Sequence, residues 1–301
     1  MNIVVVGQGA MGLLWYGKLS RLNHQITLKA STEGFSLDPI LQLTETSGSN
    51  SRYILKDCVP KDFRNANIVI VAVKSYQVND AMLQLHRYIN KNCVVIYTHN
   101  GLLDEEVYYP PTYDNIPSML LLTTHGCKKH TTHHIEHTGE GRSMLGWLKD
   151  TGSVAHEKLI TSVLNQALPT VTWHDDIKTQ QWSKLAINCV INPLTAIHDV
   201  DNGALCDEQY KEDISTIIAE VVAVAKTQGI ALDASMLEAQ AIATANATAS
   251  NTSSMRADLL AGRKSEIDEI NGAIVALAKG KKVSVKLNES LVAQVKAKEN
   301  A

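Results

Sequence analysis

The stretch Asn2-Ile3-Val4-Val5-Val6-Gly7-Gln8-Gly9-Ala10-Met11-Gly12 decides the fold. A β-branched run ends in a Gly-x-Gly-x-x-Gly loop, and an apolar segment with helical spacing follows. In this context the first glycine permits a tight turn, the second lets the backbone approach a pyrophosphate, and the third lets the helix pack on the strand. The six residues of the loop, 7–12, are therefore predicted to bind a dinucleotide at the positive end of a helix. The alternative is a strand–helix turn that is merely rich in glycine.

The two halves of the chain differ in their hydrophobic pattern. In the first half, strands predicted at 3–6, 25–28, 68–73 and 94–97 alternate with amphipathic helices at 11–22 and 78–89, and hairpin-like strands follow at 119–124, 134–137 and 143–147. The second half predicts only helices, at 176–197, 207–228, 233–248, 254–280 (with a break near Gly262) and 287–298. Strand–helix alternation is typical of a parallel sheet covered by helices. We expect an α/β Rossmann-type domain over 1–170 and an all-α domain over 171–301.

Bulk composition excludes several classes of protein. The 301 residues suit two domains, and 45% hydrophobic with 20% charged residues is a globular composition. A formal net charge of −3 provides no field that would gather nucleic acid or an anionic membrane, so small molecules are the expected partners. Five cysteines without a CxxC pair, no visible signal peptide and no apolar run of about 20 residues predict a cytoplasmic protein. The sequence leaves the oligomeric state open, a homodimer included.

The end of the second predicted strand favours NADP(H) over NAD(H). An NAD-binding domain usually carries an acid there for the ribose 2′-hydroxyl. Here the strand leads into Lys29, Ala30, Ser31 and Thr32, with no acid before Glu33. A carboxylate would repel a 2′-phosphate, whereas a lysine or a hydroxyl would not. Lys74, directly after the strand at 68–73, could reach the same phosphate. Alternatively, Lys29 and Lys74 are ordinary solvated lysines.

A polar stripe lies on an otherwise apolar helix in the second half. Lys184, Asn188 and Asn192 recur every four residues and therefore share one face. Burial of a lysine is costly and draws its pKa towards neutrality, which suits a proton donor. Reduction of a ketone by hydride leaves an alkoxide, which an ammonium group can stabilise and protonate. Alternatively, Lys184 extends to solvent, and the amides of Asn188 and Asn192 cap or kink the helix around Pro193.

Together these residues resemble the ketopantoate reductase (2-dehydropantoate 2-reductase) family over nearly the whole chain. The resemblance rests on the glycine loop, on His99-Asn100-Gly101 and on the block from Trp182-Ser183-Lys184 to Asn192-Pro193-Leu194-Thr195-Ala196. It also rests on Asn202-Gly203 and on the segment from Ser253-Ser254-Met255 to Glu266-Ile267-Asp268-Glu269-Ile270-Asn271-Gly272. The glycine loop alone is unspecific, whereas the later blocks, in this order and spacing, are specific.

The resemblance implies reduction of ketopantoate to pantoate by NADPH, on the route to pantothenate and coenzyme A. It implies that Lys184 is the general acid and that Glu266 binds the substrate hydroxyl close to that lysine. Asn100 would lie near the nicotinamide, where it helps to position cofactor and lysine. The resemblance also implies an active site between a Rossmann domain and a helical domain. Residues that match further substrate-binding positions are Asn188, Asn192, Asn202 and Ser254.

Two positions depart from the family pattern. An arginine that usually follows the second strand is replaced by Ser31 or Thr32, which weakens the argument for NADP selection but not for a dinucleotide site. The turn before the last helix, 282–288, lacks the usual proline. Two of the site residues could instead have a purely structural role. Ser254 could cap a helix, and Glu266 could lie in the first turn of another helix.

Other functions remain open at this point. The chain could reduce another branched 2-keto acid, or it could be a catalytically silent NADPH-binding sensor, although a sensor would be expected to lack Lys184 or Glu266. A histidine cluster (His125, His130, His133, His134 and His137) raises the question of a metal. Neighbouring residues of a strand point to opposite faces, so we expect no metal site there.

Overall fold

The computed structural model describes residues 1–30, 40–108, 116–149 and 153–300. The chain divides into two compact units. The first comprises Met1–His99 and Asp104–Ile177, and the second comprises Asn100–Leu103 and Lys178–Ala301. The domain boundary expected near residue 170 remains a prediction. Within the described ranges, no helix is both long enough and apolar enough to cross a membrane.

The first unit contains all the strands that the described residues form. In chain order they are β1 (Asn2–Val6), β2 (Gln25–Lys29), β3 (Ile40–Thr44), β4 (Asn50–Ile54), β5 (Ile68–Val71), β6 (Val94–Tyr97), β7 (Ser118–Thr123), β8 (Gly126–Thr131), β9 (His134–Gly139), β10 (Ser143–Lys149) and β11 (Val171–Trp173). Its helices are α1 (Ala10–Leu19), α2 (Pro60–Asn65), α3 (Val78–Leu85), α4 (Glu105–Tyr108) and α5 (Val154–Ala167).

The strands form two sheets. The larger has the order β11-β10-β7-β6-β5-β1-β2 and is parallel from β2 to β7, while β10 runs antiparallel to β7. The smaller sheet has the order β4-β3-β9-β8. The Rossmann-type sheet is confirmed. Strand β5 ends at Val71, two residues before the predicted end, and β3, β4, β8 and β11 were not predicted.

Helix α1 is buried on all sides, so the prediction of an amphipathic helix over 11–22 is wrong. Every residue from Gly12 to Leu19 is buried, because α1 packs against the smaller sheet as well as against β1 and β2. Even Lys18 is only 6% exposed, and its Nζ donates a hydrogen bond to Glu45 Oε2 over 2.6 Å. A buried lysine needs such a partner. The helix is thus fixed against both sheets, and so is the loop that precedes it.

The second unit is helical, as the sequence predicts. Its helices are α6 (Ile177–His198, which begins in the first unit), α7 (Lys211–Thr227), α8 (Ala234–Ala247), α9 (Ser254–Leu260), α10 (Asn271–Ala278) and α11 (Lys286–Glu299). Its core includes Leu185 and Cys189 of α6 with Ile217, Ile218 and Val221 of α7, all at most 2% exposed. Each fully buried aliphatic side chain contributes about 1.5–3 kcal/mol. The predicted helix over 254–280 is interrupted for ten residues, 261–270, and not only near Gly262.

Candidate active site

The glycine loop follows β1 and makes a tight turn into α1. Gly7 has a φ of +109°, and a Cβ there would lie 2.5 Å from the Ala72 carbonyl oxygen. A Cβ on Gly12 would collide with the carbonyl oxygen of Gly7. By contrast, a Cβ on Gly9 would meet only the Ala72 oxygen, at 3.9 Å. Gly7 and Gly12 are therefore required by the packing of the backbone. The space beside Gly9, by contrast, is available to a ligand at the start of α1.

The residues expected to hold a 2′-phosphate lie near the same sheet edge or outside the described ranges. Lys74 follows β5, which pairs in parallel with β1, so both carboxyl ends meet at one edge. The Lys74 side chain is half-buried, and its backbone N–H donates to Gln77 Oε1 over 3.2 Å. Strand β2 ends at Lys29. Ser31 and Thr32, predicted to follow that strand, lie outside the described residues.

Lys129 is a basic residue beside the loop that the sequence did not reveal. Its Nζ donates a hydrogen bond to the carbonyl oxygen of Gln8 over 2.6 Å. On the same strand, β8, the thiol of Cys127 contacts the Ala10 carbonyl oxygen at 3.3 Å. The first strand of the β8–β9 hairpin thus lies along the glycine loop. No local motif marks Lys129, because only the pairing of distant segments brings it there.

In the second unit, α6 presents the predicted polar stripe. Lys184 and Asn188 are half-buried, and Asn192 is 6% exposed. The intervening residues Leu185 and Cys189 are buried in the core of the unit. The 3.6-residue period of the helix therefore sets the three polar side chains along one face while their neighbours anchor the helix.

An amide joins the two candidate catalytic groups. Lys184 Nζ donates to Asn100 Oδ1 over 3.1 Å, and Asn100 Nδ2 donates to Glu266 Oε2 over 3.3 Å. Glu266 is only 4% exposed. An asparagine amide carries one acceptor and two donors, so it can serve an ammonium and a carboxylate at the same time. Three residues that are far apart in sequence thus form one hydrogen-bonded chain within the second unit.

The environment of Lys184 prepares it to release a proton. Although part of its side chain remains exposed, burial lowers the pKa of Lys184 to about 8, and the negative charge of Glu266 opposes that shift. At neutral pH the group is then mostly protonated, yet its proton is far more labile than that of a solvated lysine. This combination suits a general acid that works near neutrality.

Glu266 lies in a turn and not in the first turn of a helix, which corrects the local reading of the sequence. The Glu266 carbonyl oxygen accepts from the N–H of Ile270 over 3.0 Å, and α10 begins only at Asn271. Ser265 Oγ accepts from the Ile267 N–H over 3.2 Å, as a cap would. Ser265 Oγ therefore stabilises a turn that precedes α10, and the helix itself begins five residues after Glu266.

The remaining predicted substrate residues lie on two neighbouring segments. Asn202 opens a 3₁₀ turn, and its Nδ2 donates to Thr248 Oγ1 over 2.9 Å. Its Oδ1 is buried and meets no hydrogen-bond donor among the described residues. Ser254 is exposed in the first turn of α9. The cap of α9 is Ser253, whose Oγ accepts from the Arg256 N–H, so a capping role for Ser254 is wrong.

Comparisons with known proteins agree with this picture. Family models described as ketopantoate reductase PanE/ApbA and its C-terminal domain match residues 3–150 and 176–299. A 2-dehydropantoate 2-reductase of Vibrio cholerae is 34% identical, with 100% of this chain and 99% of that protein covered.

Solved structures share the fold. A PanE/ApbA family ketopantoate reductase from Ralstonia eutropha superimposes with a TM-score of 0.86 at 23% identity, covering 100% of this chain and 99% of that one. A D-mandelate dehydrogenase, solved with NADH and anilino(oxo)acetate, gives a TM-score of 0.89, also at 23% identity and with the same coverage. At this identity the similarity establishes the fold alone and does not identify the substrate.

Proposed function

The chain belongs to the ketopantoate reductase family, and from this premise we propose that it reduces 2-dehydropantoate to pantoate with NADPH. The reaction is that of an oxidoreductase on the route to pantothenate and coenzyme A. The observation that carries the proposal is the chain of hydrogen bonds from Lys184 through Asn100 to Glu266. This arrangement brings together a labile proton, which the keto oxygen needs on reduction, and a buried carboxylate, which can accept a hydrogen bond from a substrate hydroxyl.

The first unit would hold the cofactor through the glycine loop. The space beside Gly9 and the start of α1, which no described side chain caps, fit a pyrophosphate, and the positive end of that helix favours one. Lys74 and Ser31 would contact the 2′-phosphate, and Asn100 the nicotinamide side. When bound, NADPH supplies the hydride that adds to the keto carbon of the substrate.

The second unit would supply the proton and hold the substrate. As the carbonyl oxygen gains negative charge, Lys184 Nζ gives it a proton and the hydroxyl of pantoate is formed. Asn100 Oδ1 keeps the ammonium in place, and Glu266 accepts a hydrogen bond from the substrate hydroxyl. The stripe residues Asn188 and Asn192 would bind substrate oxygens. Asn202 and Ser254 complete the proposed substrate-binding set.

A spectrophotometric assay of NADPH oxidation with 2-dehydropantoate tests the function directly. We expect turnover with 2-dehydropantoate and kcat/KM at least about tenfold lower with other branched 2-keto acids, because Glu266 would lose its hydroxyl partner. Equal rates across a substrate panel would favour a broader 2-keto acid reductase. NADPH binding without turnover of any of them would identify a sensor and end the proposal. Sedimentation of the same sample would test the homodimer, which remains a prediction.

The pH dependence of the reduction should follow Lys184. Because the protonated lysine is the active form and its pKa lies at about 8, kcat/KM should be level below that pH and should fall towards tenfold per unit above it. A solvated lysine would keep its proton to beyond pH 10, so the early fall is diagnostic. The measurement is a pH profile of kcat/KM for 2-dehydropantoate. A profile that stays level to pH 9.5 would remove Lys184 from the acid role.

Replacing Lys74 by alanine should weaken NADPH selectively. We expect the KM for NADPH to rise about tenfold, because one charge-assisted contact to the phosphate is lost, while the KM for NADH barely changes. The exposed Lys61 in α2 provides a matched control, because Lys61→Ala removes the same charge from the same unit. Parallel losses for both cofactors in Lys74→Ala would mean that this lysine supports the fold and does not read the 2′-phosphate.

A further inference from the structure

Gln181 is a buried polar residue on α6 that the proposed mechanism does not use. It lies three residues before Lys184, is 5% exposed, and its Nε2 donates to the carbonyl oxygen of Gly101 over 3.2 Å. A buried amide without a partner costs free energy, so this hydrogen bond fixes the side chain. The residue it holds is the direct neighbour of Asn100 in the chain.

The segment Asn100–Leu103 is held from a second side by the turn that carries Glu266. The N–H of Leu102 donates to the Glu269 carbonyl oxygen over 2.8 Å. Gly101 has a φ of +82°, and a Cβ there would collide with the same carbonyl. The backbone therefore passes closely between α6 and the turn, and only glycine fits at that point.

The Asn100 amide lies between the two candidate catalytic groups. Its Oδ1 faces Lys184 and its Nδ2 faces Glu266. Without the hydrogen bond from Gln181, the segment would lose the contact that ties Gly101 to α6, and the amide could turn away from the lysine. Lys184 and Gln181 stand one turn apart on α6. Because this helix is rigid, it sets the distance between the lysine and the segment that carries the Asn100 amide.

We propose that Gln181 is a positioning residue, which holds Gly101 against α6 and thereby keeps the Asn100 amide between Lys184 and Glu266. This inference rests on the proposed function for its catalytic meaning, although the contact itself does not depend on it. Gln181 touches neither substrate nor cofactor in this scheme and acts only through Asn100.

Gln181→Met is the sharpest test, because methionine keeps the length and volume of the side chain but cannot donate a hydrogen bond. We expect kcat/KM for 2-dehydropantoate to fall about tenfold, which is the effect of losing one hydrogen bond in the transition state. The Kd for NADPH should not change. The adjacent Gln180, which is half-buried on the same helix, gives the control Gln180→Met, expected to match the wild type. If Gln181→Met fails to fold, Gln181→Asn shortens the side chain, keeps the amide and should show the same loss.

A second readout separates positioning from simple stability and needs no turnover. The pH dependence of Lys184 acylation by an amine-reactive reagent, followed by mass spectrometry, reports the titration of the lysine in the protein without ligands. The acylation midpoint should move to lower pH in Gln181→Met, because the ammonium loses a fixed acceptor while it stays buried. An unchanged or higher midpoint, or a wild-type kcat/KM, would overturn the positioning role. If the wild type itself did not reduce 2-dehydropantoate, the proposed function would fail, and the midpoint would still decide the role of Gln181.

Discussion

Lys184→Ala should lower kcat/KM for 2-dehydropantoate by about 10²–10⁴-fold, the usual contribution of a positioned general acid. The physical reason is that the variant loses the ammonium group whose Nζ donates a hydrogen bond to Asn100 Oδ1. The Kd for NADPH, measured by fluorescence titration, should stay within about twofold of the wild type, because the glycine loop lies in the other unit. The loss should therefore appear in the chemical step.

Two comparisons make this result interpretable. Lys226 is an exposed lysine near the end of α7, and Lys226→Ala should retain wild-type activity. Lys184→Arg keeps the charge but cannot lose its proton near neutrality, so it should remain nearly as impaired as the alanine variant. An alanine variant with more than a tenth of the wild-type rate, or one that loses NADPH affinity to the same degree, would contradict the assigned role.

Gly12→Ala should have the largest effect on cofactor binding. The new methyl group would meet the Gly7 carbonyl oxygen, and it could not move away because β1 and α1 hold the backbone at both residues. We expect the Kd for NADPH to rise more than about 100-fold and the unfolding free energy to fall by about 1–3 kcal/mol, the usual cost of overpacking. Titration of NADPH fluorescence and thermal unfolding measure the two effects.

Gly9→Ala provides the informative contrast in the same loop. A methyl group fits there in the free protein, so the melting temperature should remain close to that of the wild type. NADPH should nevertheless bind more weakly, because the pyrophosphate would approach this backbone. Gly139→Ala, at a glycine of β9 with open space around it, should change neither quantity. Wild-type NADPH affinity in both loop variants would place the cofactor elsewhere.

The sequence predicted those parts of the site that local periodicity controls. The glycine loop was recognisable because a short strand, three glycines and a helix are contiguous. The stripe of Lys184 and Asn188 was recognisable because helical spacing places both on one face. Neither inference needed knowledge of which segments meet in space.

The parts that depend on distant contacts were not predictable in this way. Ser265 and Glu266 are residue types that are common at the start of a helix, so the sequence suggests that the helix resumes near Glu266. The structure makes a turn there, and the Glu269 carbonyl accepts a hydrogen bond from Leu102, more than 160 positions earlier in the sequence. Strands β3 and β9 likewise pair in parallel across about 90 positions, so the strand pairing of the smaller sheet and the position of Lys129 escaped prediction.

The four-residue segment Asn100–Leu103 has a consequence for protein engineering. It is encoded in the nucleotide-binding half but belongs to the helical unit. A fragment cut at residue 170 would inherit the lysine and the carboxylate without the amide that connects them. Chimaeras that exchange nucleotide-binding halves between homologues would replace this segment as well. Compatibility in such hybrids should therefore depend on whether the donor supplies an Asn-Gly pair that fits the recipient's first long helix.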